Sequence, residues 1–148
     1  MKALYVLVGL TALVASVTFV MCQSSDEMDK WNRIACLSES NTTEDEVKKF
    51  VENGMKANEA TNNIKCHFKC WLEKKGIFNI SVYNADAAIK QLMKIPAMSG
   101  HEIEVKQAVN RCRNERGASD CDTAFKICMC IKEFKECEFK STADFFAV

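Results

Sequence analysis

Apolar side chains recur at helical spacing through most of this chain. The clearest stripe follows Asn84, a residue type that commonly caps helices, and stops before Pro96, which cannot continue one. Five apolar residues lie three or four positions apart on that stripe: Ala85, Ala88, Ile89, Leu92 and Met93. This spacing predicts an amphipathic helix between Asn84 and Pro96.

Five other segments show the same periodicity. Thr43 with Glu46 forms a capping-box pattern, and Ser99 with Glu102 forms another. The predicted helices are one that carries Cys36 near its end, one from Thr43 to Gly54, one from about Asn63 to Gly76, one from Ser99 to Gly117, and one that begins near Asp120. The last is apolar around most of its circumference, which predicts a central position.

Residues 77–82 are the segment that reads least like a helix. We interpret them as a short extended connection, because a sheet would need a second strand and the pattern provides none. The predicted fold class is therefore all-α, with six helices.

The first 22 residues form an apolar stretch with one charge, Lys2, and a polar run begins at Gln23. This arrangement is typical of a secretory signal peptide. We predict cleavage after Cys22 and one helical domain over residues 23–148. A retained transmembrane anchor is the alternative, because about 20 apolar residues can span a bilayer.

Charge and cysteine content narrow the function classes. Without Lys2 the chain has 19 Lys and Arg and 20 Asp and Glu, so its formal net charge is about −1. We therefore expect no basic surface that would bind nucleic acid or an anionic membrane. Eight of the nine cysteines remain after removal of Cys22. In a secreted chain these are expected to form disulfides. Zinc bound by Cys66 with Cys70 and Cys128 with Cys130 is disfavoured, because the chain is predicted to be secreted and no histidine is suitably spaced as a further ligand.

Six cysteines have the spacing Cys36-x29-Cys66-x3-Cys70-x41-Cys112-x8-Cys121-x8-Cys130. On a helical wheel Cys66 and Cys70 share one face of the third predicted helix, and its apolar residues lie opposite. Two cysteines on the same face are expected to reach two different elements. Spacing alone leaves 15 ways to pair the six.

This spacing, the helix order, the predicted leader and the run from Cys66 to Gly76 (CHFKCWLEKKG) resemble the insect odorant-binding and pheromone-binding proteins. The resemblance spans essentially the whole mature chain. It implies a disulfide-linked six-helix bundle that encloses an apolar cavity. The implied disulfides are Cys36 with Cys70, Cys66 with Cys121, and Cys112 with Cys130.

The resemblance also implies a function: a secreted soluble carrier that takes an odorant, a pheromone or a related lipid-like ligand through extracellular fluid. The resemblance also suggests a membrane chemoreceptor as a partner. It does not decide between a monomer and a homodimer. The alternative is a non-sensory secreted interaction protein, such as a venom, salivary or seminal component. The residues expected to contact the ligand are Phe68, Trp71, Ala88, Ile89, Leu92, Met93, Phe125, Met129, Phe145 and Phe146.

No catalytic motif is present, so we expect no enzyme activity, no catalytic residues, no cofactor and no metal. His67 is the candidate for a pH switch, because a histidine titrates near pH 6.5. The alternative is that it is a partly exposed residue without a role.

Cys128 and Cys137 depart from the six-cysteine pattern. They form a fourth disulfide if the sixth helix breaks after about Phe134, and otherwise they are free thiols. A third interpretation has Cys128 replace Cys130 as the partner of Cys112. Asn41-Thr42-Thr43 and Asn79-Ile80-Ser81 also match the N-glycosylation motif, and both lie in predicted loops.

Overall fold

Six α-helices and one β-hairpin make up residues 24–138, the part of the chain that the computed structural model describes. The helices are α1 (Ser24–Glu39), α2 (Glu44–Glu52), α3 (Asn62–Lys74), α4 (Ala85–Leu92), α5 (Glu102–Cys112) and α6 (Asp120–Glu138). The strands are β1 (Phe78–Asn79) and β2 (Val82–Tyr83), and 3-10 turns occupy Ala57–Glu59 and Pro96–Met98. The all-α prediction is confirmed.

The chain divides into two units, residues 1–34 and 35–148. The described part of the first unit is the beginning of α1, and the second contains every other element. The predicted leader and the apolar residues 139–148 lie outside the described residues. The boundary at residue 22 therefore stays a prediction. Within residues 24–138, no helix is both long enough and apolar enough to cross a membrane.

Two of the predicted helix starts are confirmed in atomic detail. The Thr43 hydroxyl accepts a hydrogen bond from the Glu46 backbone N–H, and the Glu46 carboxylate accepts one from the Thr43 N–H at 2.8 Å. The Asn84 side-chain oxygen accepts from the backbone N–H of Ala87 at 3.0 Å. Each cap satisfies an N–H that the first helical turn leaves without a partner.

The predicted bounds of the next two helices are partly wrong. Helix α4 ends at Leu92, because Pro96 forces the preceding Ile95 into an extended conformation. Ser99 closes the 3-10 turn that follows instead of capping α5. Helix α5 begins at Glu102 and ends at Cys112, well before Gly117.

Gly117 is required for close approach rather than for ending a helix. Its N–H donates to the Thr123 hydroxyl at 2.9 Å. A Cβ atom added at Gly117 would lie 2.5 Å from the Asp122 carboxylate and 2.6 Å from the Asp122 backbone. This contact sets the loop tightly against the first turn of α6.

Gly117→Ala is therefore expected to lower the free energy of unfolding by about 1–3 kcal/mol, because the backbone of α6 must shift. Urea denaturation measures the loss. Ala118→Ser is the matched control in the same loop: this residue is exposed and should change stability by less than about 0.5 kcal/mol. Equal unfolding midpoints for the two variants would contradict the close approach.

The expectation that residues 77–82 lack a strand partner is wrong. Strands β1 and β2 pair antiparallel, with Phe78 opposite Tyr83 and Asn79 opposite Val82. The two turn residues have positive φ, 45° at Ile80 and 63° at Ser81, as a type I′ turn requires. The two turn positions hold Ile-Ser instead of the usual Asn-Gly signal of such a turn, so the hairpin was not predicted.

Helices α3 and α6 share the most extensive interface within the second unit. The predicted central position of α6 is confirmed, because Ala124, Phe125, Ile127, Cys128 and Ile131 are all buried. The core extends from α2 through the hairpin to α6.

Three disulfides cross-link this core. They join Cys36 to Cys70, Cys66 to Cys121, and Cys112 to Cys130, with Cα–Cα distances of 5.5, 4.5 and 5.7 Å. They are the same three pairs that the resemblance implies. Helix α3 is bonded both to the C-terminal end of α1 and to α6, while α5 is bonded to α6.

The fourth disulfide between Cys128 and Cys137, one of the three interpretations of these cysteines, is not formed. Cys128 is a buried free thiol. Helix α6 runs unbroken through Glu138, so nine residues of helix separate the two positions by about 13 Å, too far for a disulfide. The alternative bond from Cys128 to Cys112 is also wrong, because Cys112 is bonded to Cys130.

Candidate functional site

Three phenylalanine rings form the centre of the apolar interior. Phe50 from α2, Phe68 from α3 and Phe125 from α6 have ring centroids 5.8–6.1 Å apart in all three pairings. The rings meet at tilted or edge-to-face angles, the arrangements that aromatic pairs prefer. We call these three residues the aromatic cluster.

The structure brings most of the predicted ligand-contact residues into this region. Phe68, Ala88, Leu92 and Phe125 are buried in one continuous apolar core. Trp71, Ile89, Met93 and Met129 are partly buried and pack against it. Phe145 and Phe146 lie outside the described residues, so their contribution stays a prediction.

A cleft of about 700 Å³ reaches the aromatic cluster at Phe125. Phe125 and Met129 line it beside the disulfide of Cys112 and Cys130. The other lining residues are Ala57 and six charged residues: Lys65, Arg111, Glu115, Asp122, Lys126 and Glu133. The volume falls in the range of small-molecule sites in proteins.

Asp122 organises the charges of the cleft. Its carboxylate accepts a hydrogen bond from the Lys65 ammonium at 2.7 Å, and the Lys126 ammonium lies 3.4 Å away. The bond from Lys65, followed by one from the backbone N–H of Ala118, lowers the pKa of Asp122 to about 2. Asp122 is therefore ionised at any physiological pH. The Lys65 ammonium also lies 5.8 Å from the centroid of the Phe125 ring.

The sequence did not predict the charged residues of this cleft. Asp122 and Lys126 are four residues apart on α6, the one local signal that places them together. Lys65 comes from α3, 57 residues away in the chain, so only the packing of the two helices brings it to Asp122.

His67 is buried rather than partly exposed, with 6% of its surface accessible. Burial lowers the pKa of its imidazole, and a hydrogen bond to the Cys36 backbone opposes that shift. Its Nδ1 has no hydrogen-bond partner among the described residues. The imidazole is therefore held neutral at pH 7.

The low pKa of His67 predicts a fall in stability on acidification. Below about pH 6.5 the histidine of the unfolded chain gains a proton while the folded one does not, so protonation favours unfolding. The loss begins near pH 6.5 and levels off below the pKa of the folded state. The midpoint of urea unfolding should decline as the pH is lowered from 7.5 to 5. The decline should be smaller in His67→Gln.

His101→Gln is the control and should keep the decline. A decline of equal size in His67→Gln would contradict this origin. That protonation of His67 also releases ligand stays a prediction, and the same variant tests it through the pH dependence of affinity.

Tyr83 and Cys128 place two neutral polar groups in the interior. The Tyr83 hydroxyl is buried without a hydrogen-bond partner among the described residues. Burial, and next the nearby Cys128 thiol, raise the pKa of Tyr83 above its usual range. Burial also raises the pKa of Cys128 to about 12, so its thiol is protonated and is not an activated nucleophile at neutral pH.

These features suit the binding of a small molecule. The interior offers buried aromatic and aliphatic surface and the Tyr83 hydroxyl, which has no partner in the described part of the chain. A cleft leads to this interior at Phe125. A buried hydroxyl without a partner is costly unless a ligand atom accepts a hydrogen bond from it.

Comparison with known proteins assigns the chain to a family. The sequence profile of the PBP/GOBP family matches residues 21–134, well over half of the chain. The chain belongs to the PBP/GOBP family. This confirms the resemblance to insect odorant-binding and pheromone-binding proteins.

Individual relatives agree with the assignment. General odorant-binding protein 56a of Drosophila melanogaster is 30% identical over 135 residues, which cover 88% of this chain and 93% of the relative.

Solved structures of odorant-binding proteins also match this chain. The fatty acid binding protein OBP56a from the oral disk of the blowfly Phormia regina is 27% identical, with a TM-score of 0.62 over 77% of this chain and 94% of its own. Odorant binding protein 5 of Apis mellifera has a TM-score of 0.58 at 22% identity, over 78% of this chain and 93% of its own, and shows the shared fold.

Proposed function

We propose that this protein is a secreted carrier that binds one small hydrophobic molecule in its interior and transports it through extracellular fluid. Membership of the PBP/GOBP family carries the proposal. The ligand class is that of odorants, pheromones and related lipid-like molecules. Fatty acids belong to it, because the blowfly relative is described as a fatty acid binding protein.

Burial of apolar ligand surface supplies the driving force. A ligand that loses roughly 300 Å² of apolar area gains about 7 kcal/mol at 25 cal/mol per Å², before the entropic cost of association. We place its apolar part against Phe68, Phe125 and Met129. The cleft then serves as the entrance, since Phe125 and Met129 line it.

The Tyr83 hydroxyl is the group we assign to the polar end of the ligand. It is buried and neutral and has no hydrogen-bond partner within residues 24–138, so a carbonyl, carboxyl or hydroxyl oxygen that accepts a hydrogen bond from it relieves the cost of leaving it without one. A fully apolar hydrocarbon of equal size should therefore bind more weakly than the corresponding alcohol or acid.

Secretion is supported by the disulfides and by the predicted leader. Three disulfides in one small domain are typical of proteins that fold in an oxidising compartment. Enzyme activity is not part of the proposal, because the buried thiol is protonated and the relatives are described as binding proteins.

Displacement of the fluorescent probe N-phenyl-1-naphthylamine tests the proposal. The probe should bind saturably, and a long-chain fatty acid or alcohol should displace it. Met129→Ala should raise the dissociation constant of the fatty acid or alcohol roughly fivefold, because the loss of apolar contact costs about 1 kcal/mol of binding free energy. Ile103→Ala is the matched control, because Ile103 is 70% exposed on α5 and should leave affinity unchanged.

If the protein with all three disulfides formed does not bind the probe saturably, this result would contradict the carrier function. It would favour the alternative of a secreted protein that acts through its outer surface.

A further inference from the structure

The β-hairpin carries one of the two glycosylation motifs, Asn79-Ile80-Ser81, at its tip. All three residues are exposed, and Ile80 is 85% accessible. The Ser81 hydroxyl donates to the Asp120 carboxylate at 2.7 Å, which fixes the tip beside the start of α6. We propose that Asn79 carries an N-linked glycan that covers the exposed apolar face of this hairpin.

The register of the hairpin places Asn79 on its apolar outer face. Asn79 pairs directly with Val82, and residues directly opposite in an antiparallel pair point to the same face. Val82 is 65% exposed, whereas Phe78 on the opposite face is buried and its partner Tyr83 half-buried. A sugar attached to Asn79 therefore starts beside the exposed side chain of Val82.

Ile80 adds to this exposed apolar surface at a cost to the backbone. A β-branched residue with φ of 45° is an outlier, because its Cβ crowds the neighbouring backbone. Its side chain projects into solvent instead of repaying that cost by burial. Two exposed apolar side chains at the tip of a hairpin also favour pairing with an apolar surface of another chain. A bulky, hydrated glycan at Asn79 blocks that pairing and covers Ile80 and Val82.

The second motif, Asn41-Thr42-Thr43, lies in a different setting. Its middle residue, Thr42, is buried and donates to the Glu46 carboxylate at 3.0 Å. Thr43 is the N-cap of α2, and the Asn41 carbonyl accepts a hydrogen bond from the Asn63 side chain at 2.9 Å. This motif is built into a helix start, whereas the hairpin motif projects from the surface along its whole length.

The inference rests on the secretion stated in the proposed function, since N-glycans are added only to chains on that route. The test is expression of the full chain in insect cells, collection of the protein from the medium, and peptide mapping after enzymatic removal of N-glycans in heavy-oxygen water. The expected result is Asn79 converted to labelled aspartate. Glycan removal should also lower the apparent mass of the wild type on a gel, and Asn79→Gln and Ser81→Ala should both lose the part of this shift that comes from Asn79, although the second variant keeps Asn79.

Asn41→Gln is the matched control and should keep the glycan at Asn79. Secreted Asn79→Gln protein should also form more aggregate than the wild type at equal concentration. An unmodified Asn79 peptide from secreted protein with all three disulfides would overturn the inference. The probe-displacement assay on the same sample separates this outcome from failure of the carrier function, because it does not depend on the glycan.

Discussion

Replacing Cys66 and Cys121 together with alanine is expected to lower the free energy of unfolding by about 4 kcal/mol. Their disulfide closes a loop of 55 residues, the longest of the three. In the chain-entropy model a longer loop restricts the unfolded chain more, so losing this bond favours unfolding most. The bond also joins α3 to α6, the helices with the most extensive interface.

Urea denaturation of matched double variants measures the effect. Cys112→Ala with Cys130→Ala opens a loop of 18 residues and should cost about 3 kcal/mol. Cys128→Ala is the control: it removes a buried sulfur but no cross-link, and should cost about 1 kcal/mol. A loss from Cys128→Ala as large as that from either pair would contradict the proposed role of the cross-links.

Phe125→Ala is expected to cost about 3–5 kcal/mol of folding free energy, because it removes a buried ring from the centre of the core. The ring contacts Phe50 and Phe68 and lies beneath the Lys65 ammonium. A partial reduction, Phe125→Leu, keeps most of the volume and should cost less than about 1.5 kcal/mol. Phe125→Leu should nevertheless lower the affinity for the apolar probe, because Phe125 lines the cleft.

Phe78→Leu is the matched control for this experiment. Phe78 is as buried as Phe125 but is not among the residues that line the cleft. It should show a similar loss of stability, measured by thermal denaturation, with unchanged affinity for the probe. Equal loss of affinity in both leucine variants would mean that Phe125 acts through stability alone.

Local signals in the sequence predicted the helical part of the fold well. Thr43 with Glu46 and Asn84 begin helices as their side-chain chemistry requires. The apolar spacing of α6 predicted its central position. These features depend on residues three or four positions apart, and such local spacing is visible in the sequence itself.

Features that depend on distant residues or on unusual backbone conformations were not predictable. The hairpin turn places Ile80 at positive φ, which its residue type disfavours. The pair of Lys65 with Asp122 and the burial of His67 follow from how α3 packs. The disulfide pairs came from the family resemblance, since spacing alone left 15 arrangements.

The state of Cys128 stayed open in the sequence for a specific reason. The sequence offered two leftover cysteines, and an even number in a secreted chain favours a bond. Helix α6 continues past Phe134 and holds the two positions apart. Helix length therefore decided against the bond.

Native mass spectrometry of the secreted protein with all three disulfides formed, mixed with a long-chain fatty acid, tests whether the folded chain is a carrier. We expect one bound ligand per chain, with less of the complex formed by Phe125→Leu than by Phe78→Leu. A complex no more abundant than that of the reduced, unfolded chain would contradict a carrier function.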